Sequence, residues 1–248
     1  MGTAYFSPDG KKIVTAAYLT ARIWDAETGK ELQKLEGHTS IVSSAVFSPD
    51  GKKIVTAGAY DDTVRIWDAE SGKELQKLTG DPTILLFKLS PDGKKIVTTS
   101  WGKTARIWDT ESGKELHKLE GHTERVRPVS FSPDGAKIVT TGGHDKTVRI
   151  WDVESGRELQ KWEGHAHLIT DASFLPDGKK IVTAGSEDPD VRIWCVRIWD
   201  TESEKELQKL EMKEGKLCVL SPDGKKIVTG SYGYTARIWD ISTTLTEP

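Results

Sequence analysis

Hydrophobic and polar positions alternate with a period of two in short runs along this chain. In Lys52-Lys53-Ile54-Val55-Thr56-Ala57 and Thr63-Val64-Arg65-Ile66-Trp67, β-branched and aromatic residues dominate. Gly, Asp and Pro cluster only between such runs, which is the pattern of short strands punctuated by turns. The pattern predicts strand a over residues 41–47, the turn Ser48-Pro49-Asp50-Gly51, strand b over 53–58, a connecting loop, strand c over 63–68, the turn Ala69-Glu70-Ser71-Gly72 and strand d over 74–78. Proline second and glycine fourth suit a type I turn. No stretch carries a helical period.

This arrangement repeats. A Ser/Leu-Pro-Asp-Gly turn places its proline at Pro8, Pro49, Pro91, Pro133, Pro176 and Pro222, and Arg-Ile-Trp-Asp places its tryptophan at Trp24, Trp67, Trp108, Trp151, Trp199 and Trp239. The repeats run over approximately 1–36, 37–79, 80–120, 121–163, 164–211 and 212–248, which predicts about 24 strands in six four-stranded antiparallel sheets. One such sheet cannot bury both faces alone and must stack on its neighbours.

The Trp-Asp ending of strand c, the pairs Gly37-His38, Gly121-His122 and Gly164-His165, and the period near 40 residues resemble the WD-repeat β-propellers. The resemblance covers essentially the whole chain, residues 1–248. It implies an all-β fold, a single β-propeller of six four-stranded blades or a partial ring of a seven-bladed one. It also implies, in each blade, a hydrogen-bonded network of the Gly-His histidine, a hydroxyl on strand b, an Asp before strand c and the strand c tryptophan. The fourth repeat offers His122, Thr141, Asp145 and Trp151 for these places; the second offers His38, Asp61 and Trp67, with Ala57 at the hydroxyl position; the fifth offers His165, Asp188 and Trp194, with Ala184. Such groups are read as scaffold rather than as an acyl-transfer triad, because buried polar groups need partners. Repeats one, three and six lack the histidine.

The fifth repeat also holds Val191-Arg192-Ile193-Trp194-Cys195 followed by Val196-Arg197-Ile198-Trp199-Asp200. Each copy is in phase with one side only, and five is odd, so a bulge or extruded loop is expected there. The sequence leaves open whether Trp194 or Trp199 occupies strand c.

Composition then removes function classes. The 248 residues carry 35 basic and 38 acidic side chains, for a formal net charge of −3, with the basic residues dispersed; nothing marks a nucleic-acid footprint. The longest wholly apolar run, Ile84-Leu85-Leu86-Phe87, is far below a membrane span, and no signal segment opens the chain. Cys195 and Cys218 lack metal-ligand spacing and read as small apolar residues of a reducing, cytoplasmic compartment. No cofactor, metal site or catalytic residue is expected. A set of His144, His165 and His167 lacks a fourth ligand, and Glu187-Asp188-Pro189-Asp190 lacks the periodicity of a calcium loop.

The a–b and c–d turns repeat nearly unchanged and read as a solvated ring of balanced charge. Variation falls on the opposite, top face. There the b–c loops present Tyr18, Tyr60, Trp101, His144, Glu187 and Tyr232, and the d–a loops add Arg125, Arg127, His167 and Lys213. Tyr, Trp and Arg dominate interface energetics. The expected function is therefore a non-catalytic scaffold binding protein or peptide segments through Tyr18, Tyr60, Trp101, Arg125, Arg127, His144, His167 and Tyr232, monomeric if the ring closes. A channel-using enzyme or small-molecule binder and a recently amplified array without independent function are the alternatives.

Overall fold

The computed structural model describes residues 3–80, 84–127, 129–188, 193–212, 217–230 and 236–241. They form 23 strands and one three-residue 3-10 turn, Gly143–Asp145. Blade 1 is β1 (Thr3–Phe6), β2 (Lys12–Ala17), β3 (Thr20–Asp25) and β4 (Glu31–Glu36); blade 2 is β5 (Val42–Phe47), β6 (Lys53–Gly58), β7 (Thr63–Asp68) and β8 (Glu74–Thr79); blade 3 is β9 (Ile84–Leu89), β10 (Lys95–Ser100), β11 (Ala105–Asp109) and β12 (Glu115–Leu119). Blade 4 is β13 (Val129–Phe131), β14 (Lys137–Thr141), β15 (Thr147–Asp152) and β16 (Glu158–Glu163); blade 5 is β17 (Ile169–Phe174), β18 (Lys180–Asp188), β19 (Ile193–Asp200) and β20 (Glu206–Met212); blade 6 is β21 (Leu217–Leu220), β22 (Lys226–Gly230) and β23 (Ala236–Asp240). Each is an antiparallel meander in sequence order, so the fold is all-β and built of propeller-type blades. Five blades have four strands and the sixth has three; the short sixth strand d expected over residues 242–246 lies outside the described residues.

The chain divides into two compact parts, Met1–Lys118 and Leu119–Pro248. In the first, Val14, Ala16, Ala21, Ile23 and Leu35 of blade 1 pack against Val42, Ala45, Phe47, Ile54 and Trp67 of blade 2. Val55, Ala57, Val64, Ile66 and Leu78 of blade 2 pack in the same way on Ile84, Phe87, Ile96 and Trp108 of blade 3. The second part repeats this from blade 4 to blade 5, and again from blade 5 to blade 6. Strand b therefore serves two interfaces: in β6, Ile54 faces one neighbour and the adjacent Val55 the other, as the period of two requires.

The turns at the a–b and c–d end join blades as well as reverse the chain. In Ser48-Pro49-Asp50-Gly51 the Ser48 hydroxyl donates to Asp50 Oδ1 at 2.6 Å, and Gly51 takes φ 71°, the left-handed conformation that closes the turn. Lys12 of blade 1 reaches Glu70 of blade 2 at 2.8 Å, and Gln33 Nε2 donates to the Glu70 carbonyl at 2.9 Å. Lys53 and Gln76 of blade 2 hold Glu111 of blade 3 at 2.8 and 2.7 Å, and Gln160 of blade 4 holds the Thr201 carbonyl of blade 5 at 2.7 Å. These turns are solvated as expected, the Glu70 and Glu111 side chains being 89% and 87% exposed, and they also carry contacts from blade to blade.

Candidate functional site

A four-stranded meander puts its a–b and c–d turns at one end and its b–c loop, with the entry from the preceding blade, at the other. The histidine network is built at this second end. In blade 4 the Thr140 hydroxyl lies 2.8 Å from His122 Nε2 and accepts from Trp151 Nε1 at 2.8 Å, while His122 Nδ1 lies 2.7 Å from Asp145 Oδ2. The carboxylate can only accept, so Nδ1 carries the proton and Nε2 accepts from the threonine. Blade 2 has the same circuit: Thr56 at 2.7 Å from His38 Nε2, Trp67 Nε1 donating to Thr56 at 2.8 Å, and Asp61 at 2.7 Å from His38 Nδ1.

The structure thus puts Thr140, not Thr141, in the network, and Thr56 and Thr183 do the same work in blades 2 and 5. The reason is the pleat. Trp151 pairs with Ile138, which puts its side chain on the face of Ile138 and Thr140; Thr141, like Ala57 and Ala184, points to the other face. Thr141 Oγ1 is buried with no hydrogen-bond partner among the described residues. The tryptophan–threonine bond recurs in all six blades: Trp24 to Thr15, Trp108 to Thr98 and Trp239 to Thr229 lie at 2.8 to 2.9 Å even though those blades lack the histidine.

Blade 5 corrects the expected network twice. Trp199, not Trp194, pairs with Ile181 and donates to the Thr183 hydroxyl at 2.8 Å; Trp194 sits further along β19, opposite Ser186. The extra residues lengthen the β18–β19 hairpin, and the register shift falls between Ser186 and Asp188 on β18. The side chain of Asp188 lies outside the described residues, and Glu187 takes the acid's place, 3.0 Å from His165 Nδ1. Thr183 Oγ1 lies 2.9 Å from His165 Nε2. Gly185 makes room: a Cβ there would stand 2.6 Å from the His165 ring.

Cys195 joins this network, a role the sequence concealed because the duplication makes it read as a strand end. It pairs with Gly185 and Glu211, the register in which Thr147 of blade 4 pairs with Glu163. Its sulfur lies 2.9 Å from Glu187 Oε1 and 3.3 Å from His165 Nδ1. A buried Cys–His pair invites comparison with a nucleophile and its base. Burial, with the Glu187 carboxylate beside it, pushes the thiol up to about 12, and burial lowers His165 to about 4. Neither group is poised for nucleophilic work near neutral pH. In blade 2, burial likewise lowers His38. Burial opposes the charge on Asp61, but hydrogen bonds from His38 and Thr63 outweigh it and hold the acid below its ordinary range.

The proposed contact residues sit as follows. Tyr18, Tyr60 and Trp101 stand on the b–c loops of blades 1, 2 and 3 with 84%, 73% and 60% of their surface exposed. Tyr18 takes φ 54° in the tight β2–β3 turn. His144 and Arg127 are exposed, and Arg125 and His167 are half-buried. The His144 and His167 rings meet edge to face at 5.6 Å, whereas both His165 nitrogens are engaged inside blade 5, so the three histidines form no common set. Tyr232 and Lys213 lie outside the described residues. Within the first compact part, Tyr5, Phe6, Val46, Phe47, Leu86 and Phe87 line a concavity of about 410 Å³ whose polar contribution includes only Ser44, Ser48, Lys88 and the Tyr5 hydroxyl among side chains able to hydrogen-bond.

No curated protein matches the chain at a significant level. The family model described as WD domain, G-beta repeat, matches residues 29–68, 72–109, 113–152, 156–195 and 206–240.

Proposed function

The chain belongs to the WD40 family of G-beta repeats, and from that premise we propose that it is a non-catalytic scaffold binding protein or peptide segments on the face formed by its b–c loops. Repeats of this family serve generally as protein-interaction platforms. The observation that carries the finer reading is the exposure of Tyr18, Tyr60 and Trp101 on the b–c loops of three successive blades. Large aromatics held in water on a rigid sheet framework lose little conformational entropy on binding and bring much apolar area. Arg125, Arg127, His144 and His167 add polar and cationic groups at the corresponding end of the second compact part. A cytoplasmic location, with no nucleic-acid or membrane partner, completes the proposal, on the two cysteines without a disulfide framework, the near-neutral charge with dispersed basic residues and the short apolar runs.

The experiment compares affinity capture from native lysate by the intact chain and by the Tyr18→Ala, Tyr60→Ala, Trp101→Ala variant, both shown to be folded by circular dichroism. A protein retained by the parent and lost by the variant is the expected result. Equal capture by both overturns the assignment of this face, and the apolar concavity of the first compact part then becomes the surface to probe with small ligands.

A further inference from the structure

The donor atoms of His165, Glu187 and Cys195 converge: all lie within 4.8 Å of one another, and the pairwise contacts are 2.9, 3.0 and 3.3 Å. We propose that this cluster in blade 5 is a zinc site, with the Cys195 thiolate, the His165 imidazole and one Glu187 carboxylate oxygen as protein ligands and one position left for water.

Comparison among blades isolates what makes blade 5 different. In blades 2 and 4, a threonine hydroxyl occupies the third corner: Thr63 Oγ1 is 3.3 Å from His38 Nδ1, and Thr147 Oγ1 is 3.2 Å from His122 Nδ1. A neutral hydroxyl is a poor ligand for zinc. Blade 5 keeps the imidazole and the carboxylate and replaces that hydroxyl with sulfur, giving the S, N, O donor set that favours zinc over calcium or magnesium. Zinc bonds of about 2.0–2.3 Å put neighbouring tetrahedral ligands roughly 3.4–3.6 Å apart, so each donor needs to move outward by only a few tenths of an ångström.

Charge and second contacts agree with this assignment. Zinc with one thiolate, one carboxylate and one neutral imidazole is a neutral unit, which suits a site where the side chain of His165 is fully buried. Arg197 Nη2 holds the other Glu187 oxygen, Oε2, at 2.8 Å and leaves Oε1 for the metal, while Glu206 balances Arg197 at 2.6 Å. Thr183 fixes the far nitrogen of the His165 ring, as ligating histidines require. The Glu187 side chain, 14% exposed, gives the entry path. On binding, the Cys195 S–H proton leaves to solvent, and the His165 ring proton moves from Nδ1 to Nε2, where it stays and makes the hydrogen bond to Thr183 Oγ1. One proton is released per zinc bound.

The test uses the full chain, loaded with Co²⁺ as a spectroscopic stand-in and separately with Zn²⁺. The proposal expects one cobalt per chain with a near-ultraviolet thiolate-to-cobalt charge-transfer band, release of one proton per Zn²⁺ in calorimetry across buffers, and a zinc-dependent rise in melting temperature. Cys195→Thr restores the residue that Thr63 and Thr147 supply in the other blades, so it folds, and it loses the band and the thermal shift; Cys218→Ser keeps both. Cobalt binding without a thiolate band, or a band that survives in Cys195→Thr, overturns the site.

Discussion

The indole Nε1 of Trp199 donates to the Thr183 hydroxyl at 2.8 Å, and by that bond the second copy of the duplicated segment, not the first, is the structural strand c of blade 5. Trp194 is only half-buried and packs beside the blade 5–6 core. Replacing Trp199 by Phe removes one of the two hydrogen bonds of the buried Thr183 hydroxyl, which keeps its bond to His165 Nε2, and opens a gap. It is expected to cost about 2 kcal/mol, and Trp194→Phe distinctly less. Urea unfolding midpoints at unchanged slope give the comparison; an equal loss at both positions contradicts the phase assigned here.

Thr140 and Thr141 make an equally direct pair. Thr140→Val keeps shape but removes the partner of both His122 Nε2 and Trp151 Nε1, and the expected loss is about 1–3 kcal/mol. Thr141→Val removes a buried hydroxyl that has no partner among the described residues, so stability is expected to stay level or rise. Thermal melts of the two variants should move in different directions or by clearly different amounts.

Gly142 exists for the acid that follows it. A Cβ on Gly142 would overlap the Asp145 carboxylate, as one on Gly58 would overlap Asp61. Gly142→Ala is expected to displace Asp145 and break its 2.7 Å bond to His122. The hydrogen-bonded His122 Nδ1 proton should then vanish from the low-field proton spectrum, with a stability loss of about 2 kcal/mol or more. Persistence of that resonance would show that the loop absorbs the methyl group.

Acid should act on blade 2 through His38 first and Asp61 later. The folded state lowers His38 below its ordinary 6.5, chiefly by burial, so the unfolded chain binds a proton more readily below that pH. Stability from this group is complete above 6.5 and is lost as pH falls toward the folded value. Asp61 is also lowered from 3.8, and its contribution is lost only as pH falls below that value. Melting temperature is therefore expected to be level near neutrality and to decline from about pH 6.5 downward. In His38→Phe the first part of the decline should shrink; an unchanged profile would remove His38 as its source.

The strands, their turns and the tryptophan anchors outside blade 5 were legible because each depends on residues a few positions apart. In the three blades with a histidine, the hydroxyl position was read one place too late, at Thr141, Ala57 and Ala184 instead of Thr140, Thr56 and Thr183. Alternation alone could have decided it, since Trp151 shares a face with Ile138 and Thr140 and excludes Thr141. Blade 5 was harder. The inserted copy moved the acid from an Asp position to Glu187 and put Cys195 where a threonine belongs, and only strand pairing shows which residue stands opposite Gly185. The charged turns are solvated as read, but their blade-to-blade contacts were hidden because the partners, such as Lys12 with Glu70, lie more than 50 residues apart in the chain.

Those turns also bear on how such a chain can grow. Lys12 and Gln33 meet Glu70 much as Lys53 and Gln76 meet Glu111, so the outgoing side of blade 1 is nearly the outgoing side of blade 2. A copied blade inherits both halves of its joint at birth and needs no coevolved partner to be seated. Point changes can then collect at the opposite end, where loops such as those of Tyr18, Tyr60 and Trp101 diverge without disturbing assembly. The mortar is held constant, and the inscriptions are left free to differ.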